Sequence, residues 1–171
     1  MQMVKKGLLI LFVAILSLAI FAPKRELYYL IEEELMKNDI IINNEKVQAG
    51  LFTLTLKHPE VYFKGIRVAE IGEVKLWTLL FYSTFSIKSI SVDASLKRFV
   101  PAQIEQLRAS HLIFNLMNIT INGNGEFGSA SGSVNLNERK VHIDFDKESD
   151  TSKLKSLLKK GEQGWYYESS F

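Results

Sequence analysis

Hydrophobic and polar positions fall into three regimes along this chain. Residues 7–22 (GLLILFVAILSLAIFA) form an apolar run flanked by Lys5 and Lys6 on one side and by Pro23, Lys24 and Arg25 on the other. Leu27, Leu30, Ile31 and Leu35 then recur at three- and four-residue steps, the stripe of a short helix over 23–38, with Pro23 tolerated in its first turn. From Ile40 onward the period drops to two. Phe52, Leu54 and Leu56 alternate with Leu51, Thr53, Thr55 and Lys57. The sequence His58-Pro59-Glu60 reads as a turn and Lys64-Gly65 as a bend, and Val74 and Leu76 resume a strand after Gly72. Phe85 and Ile87 share one phase and Ile90 and Val92 the other, a slip that a bulge absorbs.

The region 104–116 fits either a helix, through Ile104, Leu107 and His111, or a strand. Ile119 and Ile121 return to alternation, and Val134, Leu136, Val141, Ile143 and Phe145 form a hairpin around Asn137-Glu138. Ser152 to Lys160 reads as a short basic amphipathic helix stopped by Gly161, with Leu154, Leu157 and Leu158 on one side, and Trp165-Tyr166-Tyr167 as a last strand. The expected fold is mainly β with a helix at each end, an antiparallel and curved meander over 39–171. Its closure into trough, sandwich or barrel stays open.

The 16-residue apolar run spans ~24 Å as a helix, a little under a ~30 Å hydrocarbon core, and its flanking lysines can snorkel. Residues 1–22 are expected to be a signal anchor, with Lys5, Lys6, Gly7, Leu11, Phe12, Leu16 and Phe21 in the membrane segment and Tyr28 and Tyr29 as interfacial aromatics. Ser17-Leu18-Ala19 offers a signal-peptidase site after Ala19, but the apolar run continues past it, which favours an uncleaved anchor. Basic residues flank the run equally. A six-residue tail cannot hold a domain, so the short N-terminus is expected in the cytoplasm and the body outside.

Lys5 and Lys6 account for the formal net charge of +2, so the chain from Pro23 is formally neutral and has no footprint for nucleic acid. The absence of cysteine excludes disulfides, a lipoprotein anchor and zinc–thiolate sites. Gly123, Gly125 and Gly128 spell G-x-G-x-x-G, yet no helix follows to hold a pyrophosphate; with Gly132 they read as structural glycines in a sheet. His58, His111 and His142 lack metal-ligand spacing, and no G-x-S-x-G elbow is present. Asp144 and Asp146 share a strand face without a cleft to make them an acid–base pair. Neither cofactor, metal nor catalytic residue is expected.

The segments PKRELYYLIE (23–32), GEFGSASG (125–132) and GWYYE (164–168), behind a short anchor, resemble small inner-membrane proteins related to the type II secretion system protein N, within a wider AsmA-like group. The resemblance implies a bacterial inner membrane, a periplasmic body and a non-enzymatic role. It makes the expected function an accessory in envelope assembly or secretion, contacting envelope proteins through an exposed sheet edge. The alternative is a lipid-binding or lipid-transfer module. In that reading Phe52, Leu54, Leu56, Phe85 and Ile87 line an apolar groove, although ordinary core packing explains the same residues.

Overall fold

The computed structural model describes residues 23–171 apart from 80, 99, 147, 148, 162 and 163, together with positions 6, 7, 10, 11, 13, 14 and 17, which are helical. No helix among the described residues is long and apolar enough to cross a membrane. Of the expected anchor, Lys5, Phe12, Leu16 and Phe21 lie outside the described residues.

The described residues from Lys24 onward build one α-helix, α1 (Lys24–Lys37), and one open antiparallel sheet of twelve strands. The strands are β1 (Ile40–Asn43), β2 (Lys46–Ala49), β3 (Thr53–Lys57), β4 (Glu60–Phe63), β5 (Ile66–Leu79) and β6 (Tyr82–Val92). They continue with β7 (Gln103–Leu112), β8 (Asn118–Gly125), β9 (Gly128–Asn135), β10 (Lys140–Phe145), β11 (Lys159–Lys160) and β12 (Trp165–Ser170). β1 pairs β4 and β2 pairs β3, while β3 and β4 both pair β5, end to end along one side of it. Residues 40–49 and 53–63 thus act as two long strands, each broken once. Neighbours in sequence remain neighbours in space through β10, so the sheet is a meander. The β4–β5 turn is two residues, Lys64 (φ 51°) and Gly65 (φ 79°), and positive φ at both central positions is the turn whose twist matches a hairpin.

The breaks line up across the sheet. Asn44-Glu45 lies opposite His58-Pro59, which lies opposite Ile71-Gly72; Gly72 faces Ser89, and Ser89 faces Glu105, the extra residue of a bulge between β7 and β8. Asn44, His58 and Ser89 all hold positive φ, at 64°, 54° and 56°. Alternation changes phase at this crease. Leu54 and Leu56 share a face with Pro59 and Val61, and Val74 and Leu76 share it with Ile71, around one cavity. The Ile87–Ile90 slip is the same event seen in sequence. So is the three-residue step from Ile104 to Leu107, which imitates a helix; β7 is extended throughout, and a 3-10 turn follows at Ile113–Asn115.

The expected C-terminal helix over 152–160 is corrected. Ser152–Leu154 is a single 3-10 turn, Leu157 is exposed, and Lys159–Lys160 pair with Tyr166 and Trp165 as strand β11. Nine residues carrying four lysines are too short to sustain a helix unaided. Gly161 closes the β11–β12 hairpin, its N–H donating to the Gly164 carbonyl at 2.8 Å.

The glycine cluster has a packing role. Phe127, in the two-residue β8–β9 turn, is buried, and its ring folds back over Gly123 and Gly125, where a Cβ would come within 3.7 and 3.2 Å of it. Phe145 meets it edge-on at 5.7 Å. Gly128 supplies the turn's positive φ of 88°. A Cβ on Gly132 would stand 2.1 Å from the His142 carbonyl oxygen and 2.7 Å from Ile143 Cα, both backbone atoms. Gly132→Ala is therefore expected to lower stability by ~2–3 kcal/mol, as strand β9 must shift. Gly65→Ala, with open space but positive φ, costs ~1 kcal/mol. Urea unfolding of the two variants checks the order; equal losses would overturn it.

Candidate functional site

Sheet curvature and α1 together enclose an apolar cavity of about 400 Å³. Leu54, Leu56, Val74 and Leu76 form its floor on one side of the crease, joined by Phe85 and Ile87; Pro59, Val61 and Ile71 complete it beyond the crease. Ile42 closes the side, and Tyr28, Ile31 and Leu35 form the roof. The volume falls in the ~300–1,000 Å³ range of small-molecule pockets.

The roof is held by one residue. Tyr28 is 4% exposed, packs on Leu54 and Leu56, and donates its hydroxyl to Glu45 Oε1 at 2.9 Å. Glu45 sits in the break between β1 and β2, so the crease presents the acceptor that docks the helix. Burial first, and then the bond to Glu45, push the Tyr28 hydroxyl well above its ordinary value of 10.0. Burial and the nearby Glu45 likewise raise Glu32, one turn further along the helix. The crease is pinned a second time where the Tyr62 hydroxyl donates to Glu60 at 2.7 Å, holding the Glu60 carboxyl below its usual range with help from Asn44 and Arg67.

Of the expected groove residues, Leu54, Leu56, Phe85 and Ile87 line this cavity; Phe52 does not. It precedes β3, where its carbonyl accepts from the Thr78 N–H at 2.9 Å. Tyr28 belongs to the core and not to an interface, whereas Tyr29 is exposed. The helical stripe is corrected in part: Ile31 and Leu35 line the cavity beside Tyr28, whereas Leu27 and Leu30 are more than half exposed and lie outside it. Neither Tyr28 nor Pro59 was marked for the pocket by alternation. The signal for Tyr28 is tertiary, a carboxylate 17 residues away.

The polar candidates do not converge. His142 bonds Asp144 through Nε2 at 3.1 Å and faces Glu168 through Nδ1 at 3.5 Å. Glu168 also takes Lys140 at 2.8 Å and Lys159 at 3.6 Å, and these cations hold its carboxyl below the usual range. This is a surface ion network tying β10, β11 and β12 together. Among the described residues no group of three or more His, Asp or Glu has metal-holding geometry. On the second half of the sheet, Gln106, Arg108, Asn122, Asn124, Ser131 and Asp146 border a shallow polar trough on the face opposite the apolar one. Comparison with known proteins found no matching family model, no matching curated protein and no matching solved structure.

The Tyr28 hydroxyl sets a pH dependence. Its folded value lies above the unfolded value of 10.0, so the stabilisation it brings is complete below pH 10 and is lost as pH climbs past it. Tyr28→Phe should lower stability near neutrality by ~1 kcal/mol through the lost hydrogen bond. It should also flatten the fall in the urea midpoint between pH 9 and 11. An unchanged alkaline slope in Tyr28→Phe would show that Tyr28 does not carry it.

Proposed function

We propose that this chain is a non-enzymatic, membrane-associated β-domain whose helix-roofed pocket holds an acyl chain, as a lipid-binding or lipid-transfer module does. The observation that carries the reading is the lining: thirteen residues, twelve of them aliphatic, phenylalanine or proline, and one tyrosine whose hydroxyl is already taken by Glu45. Such a cavity offers a ligand contact area and no orienting polar group, which suits a hydrocarbon tail and not a polar metabolite. The side that stays open is itself apolar, since Ile31 and Phe85 are both lining and exposed. The N-terminal apolar run and the resemblance to AsmA-like inner-membrane proteins support a bacterial inner-membrane location with the body in the periplasm.

A second reading, an accessory in envelope assembly or secretion, is favoured by a different feature. The outer side of the long strand 40–49 pairs with no other strand among the described residues, so an envelope protein can add a strand there.

Illumination of the full chain with a diazirine-bearing palmitate tests the first reading. Adducts are expected on peptides covering 42–61 and 74–87, several-fold reduced by excess unlabelled palmitate. Adducts confined to residues 1–22 would end the pocket assignment and leave the accessory reading in its place.

A further inference from the structure

The two rows of strand tips differ in chemistry. One row carries Lys64-Gly65, the 93–102 excursion with Asp93, Lys97 and Arg98, and the 146–164 excursion with Asp146, Asp150, Lys153 and Lys155. The other carries Gly50-Leu51-Phe52, the turn before Tyr82, Ile113-Phe114-Asn115-Leu116-Met117, Leu136-Asn137-Glu138-Arg139 and the terminal Phe171. In this second row only Glu138 and Arg139 are charged.

Backbone bonds join these tips into one rim. The Thr78 N–H donates to Phe52, Ile113 to Phe81, Leu136 to Met117 and Phe171 to Arg139, at 2.7–3.0 Å. Phe81 and Phe114 stack with ring centroids 5.5 Å apart. Leu51 is 64% exposed and Phe114 83%, and Leu112, Leu116 and Met117 are each at least half exposed. A contiguous exposed apolar edge of this kind marks a contact site.

We infer that this rim dips into the surface of a lipid bilayer. Three observations select lipid over a protein partner. First, α1 runs along the first long strand away from the charged tips: its C-terminal end leads into Asp39, whose carbonyl accepts from Lys64 N–H at 2.9 Å, whereas Tyr28 reaches Glu45 midway along that strand. The N-terminal end of α1 therefore lies toward the apolar row, and what precedes it in sequence is the run 7–22, whose described Ile10, Leu11 and Val13 are exposed. Second, the rim is a line of loop tips, which can enter the headgroup layer without a matching concave partner. Third, Trp77 and Tyr82 pair at 5.8 Å just behind the tips, and His111, paired with Ser83, stands at the same level on the other face of the sheet. Aromatic rings with a polar handle at that depth suit the boundary between acyl chains and water. The inference stands whether or not the pocket holds a lipid.

The chain has no cysteine, so single-cysteine variants report from one place. Phe114→Cys, Leu136→Cys and Lys64→Cys, each carrying an environment-sensitive fluorophore, are reconstituted as full chains in vesicles of phosphatidylethanolamine and phosphatidylglycerol containing doxyl lipid. Quenching of several-fold is expected at 114 and 136 and none at 64. A bright, water-shielded label at 114 that doxyl lipid does not quench and whose signal grows with protein concentration would assign the rim to a second copy of the chain and overturn the inference. So would a water-exposed label at 114, or equal quenching at 64. Phe81→Ser with Phe114→Ser alters exposed side chains only; it should abolish quenching of a label at Leu136→Cys while circular dichroism keeps its β signature.

Discussion

A crease across five adjacent strands governs this structure. In an uninterrupted strand, residues two apart share a face, and a phase error sends every later apolar residue to the wrong side. Here the error is made at the same level in each strand. Asn44, His58 and Ser89 accept positive φ at roughly 1–2 kcal/mol each, and Gly72 and Glu105 complete the line. Because neighbours switch together, the apolar face continues across the fold line, and the sheet can bend there without interrupting it. That bend makes room for a cavity of about 400 Å³ where a flat sheet would offer only a surface.

The crease also selects which half of the sheet needs a cover. On β3, β5 and β6 the inward positions are Leu, Val, Ile and Phe, and α1 lies over them. On β8 and β9 the corresponding positions are Ile121, Gly123, Gly132 and Ala130, aligned by register with Ile143 and Phe145. Small residues leave little apolar area to hide, and Phe127 with Phe145 covers much of it from within the sheet. Among the described residues from Lys24 onward, one short helix therefore covers the apolar half of the sheet. Its attachment rests on one buried tyrosine with a carboxylate acceptor and on Ile31 and Leu35 over the cavity, while Leu27 and Leu30 remain outside.

Much of this was legible in the sequence because alternation is a local signal. Strands β3 to β6, β8, β10 and β12, the Lys64-Gly65 bend and the Ile87–Ile90 slip could be read from spacing. Leu54, Leu56, Phe85 and Ile87 could be grouped on pattern alone, while Phe52, in the same phase, lies one step beyond the strand and outside the cavity. What escaped was non-local. Tyr28 beside Tyr29 looks like an interfacial pair until Glu45 is placed opposite one of them. Leu154, Leu157 and Leu158 have helical spacing, but the lysines that follow gain more from pairing with Trp165 and Tyr166. Ile104 and Leu107 have it too, because a phase switch in a strand and a helical step both read as three residues.

The apolar rim was invisible for the same reason. Each of its pieces is a short apolar stretch at a turn, and the pieces are separated by roughly the length of two strands, so each alone resembles the end of an ordinary strand. A meander converts that spacing into adjacency: every second turn falls on the same end, and apolar turns therefore collect on one side while charged turns collect on the other. This sorting needs no contact between the tips to arise, only that apolar and polar turns alternate along the chain. The helix then gives the sorted molecule a direction, because it leaves the charged end and climbs toward the apolar one. Sheet polarity and helix direction agree, and the pocket opens between them with its Leu76 and Phe85 wall nearest the apolar tips.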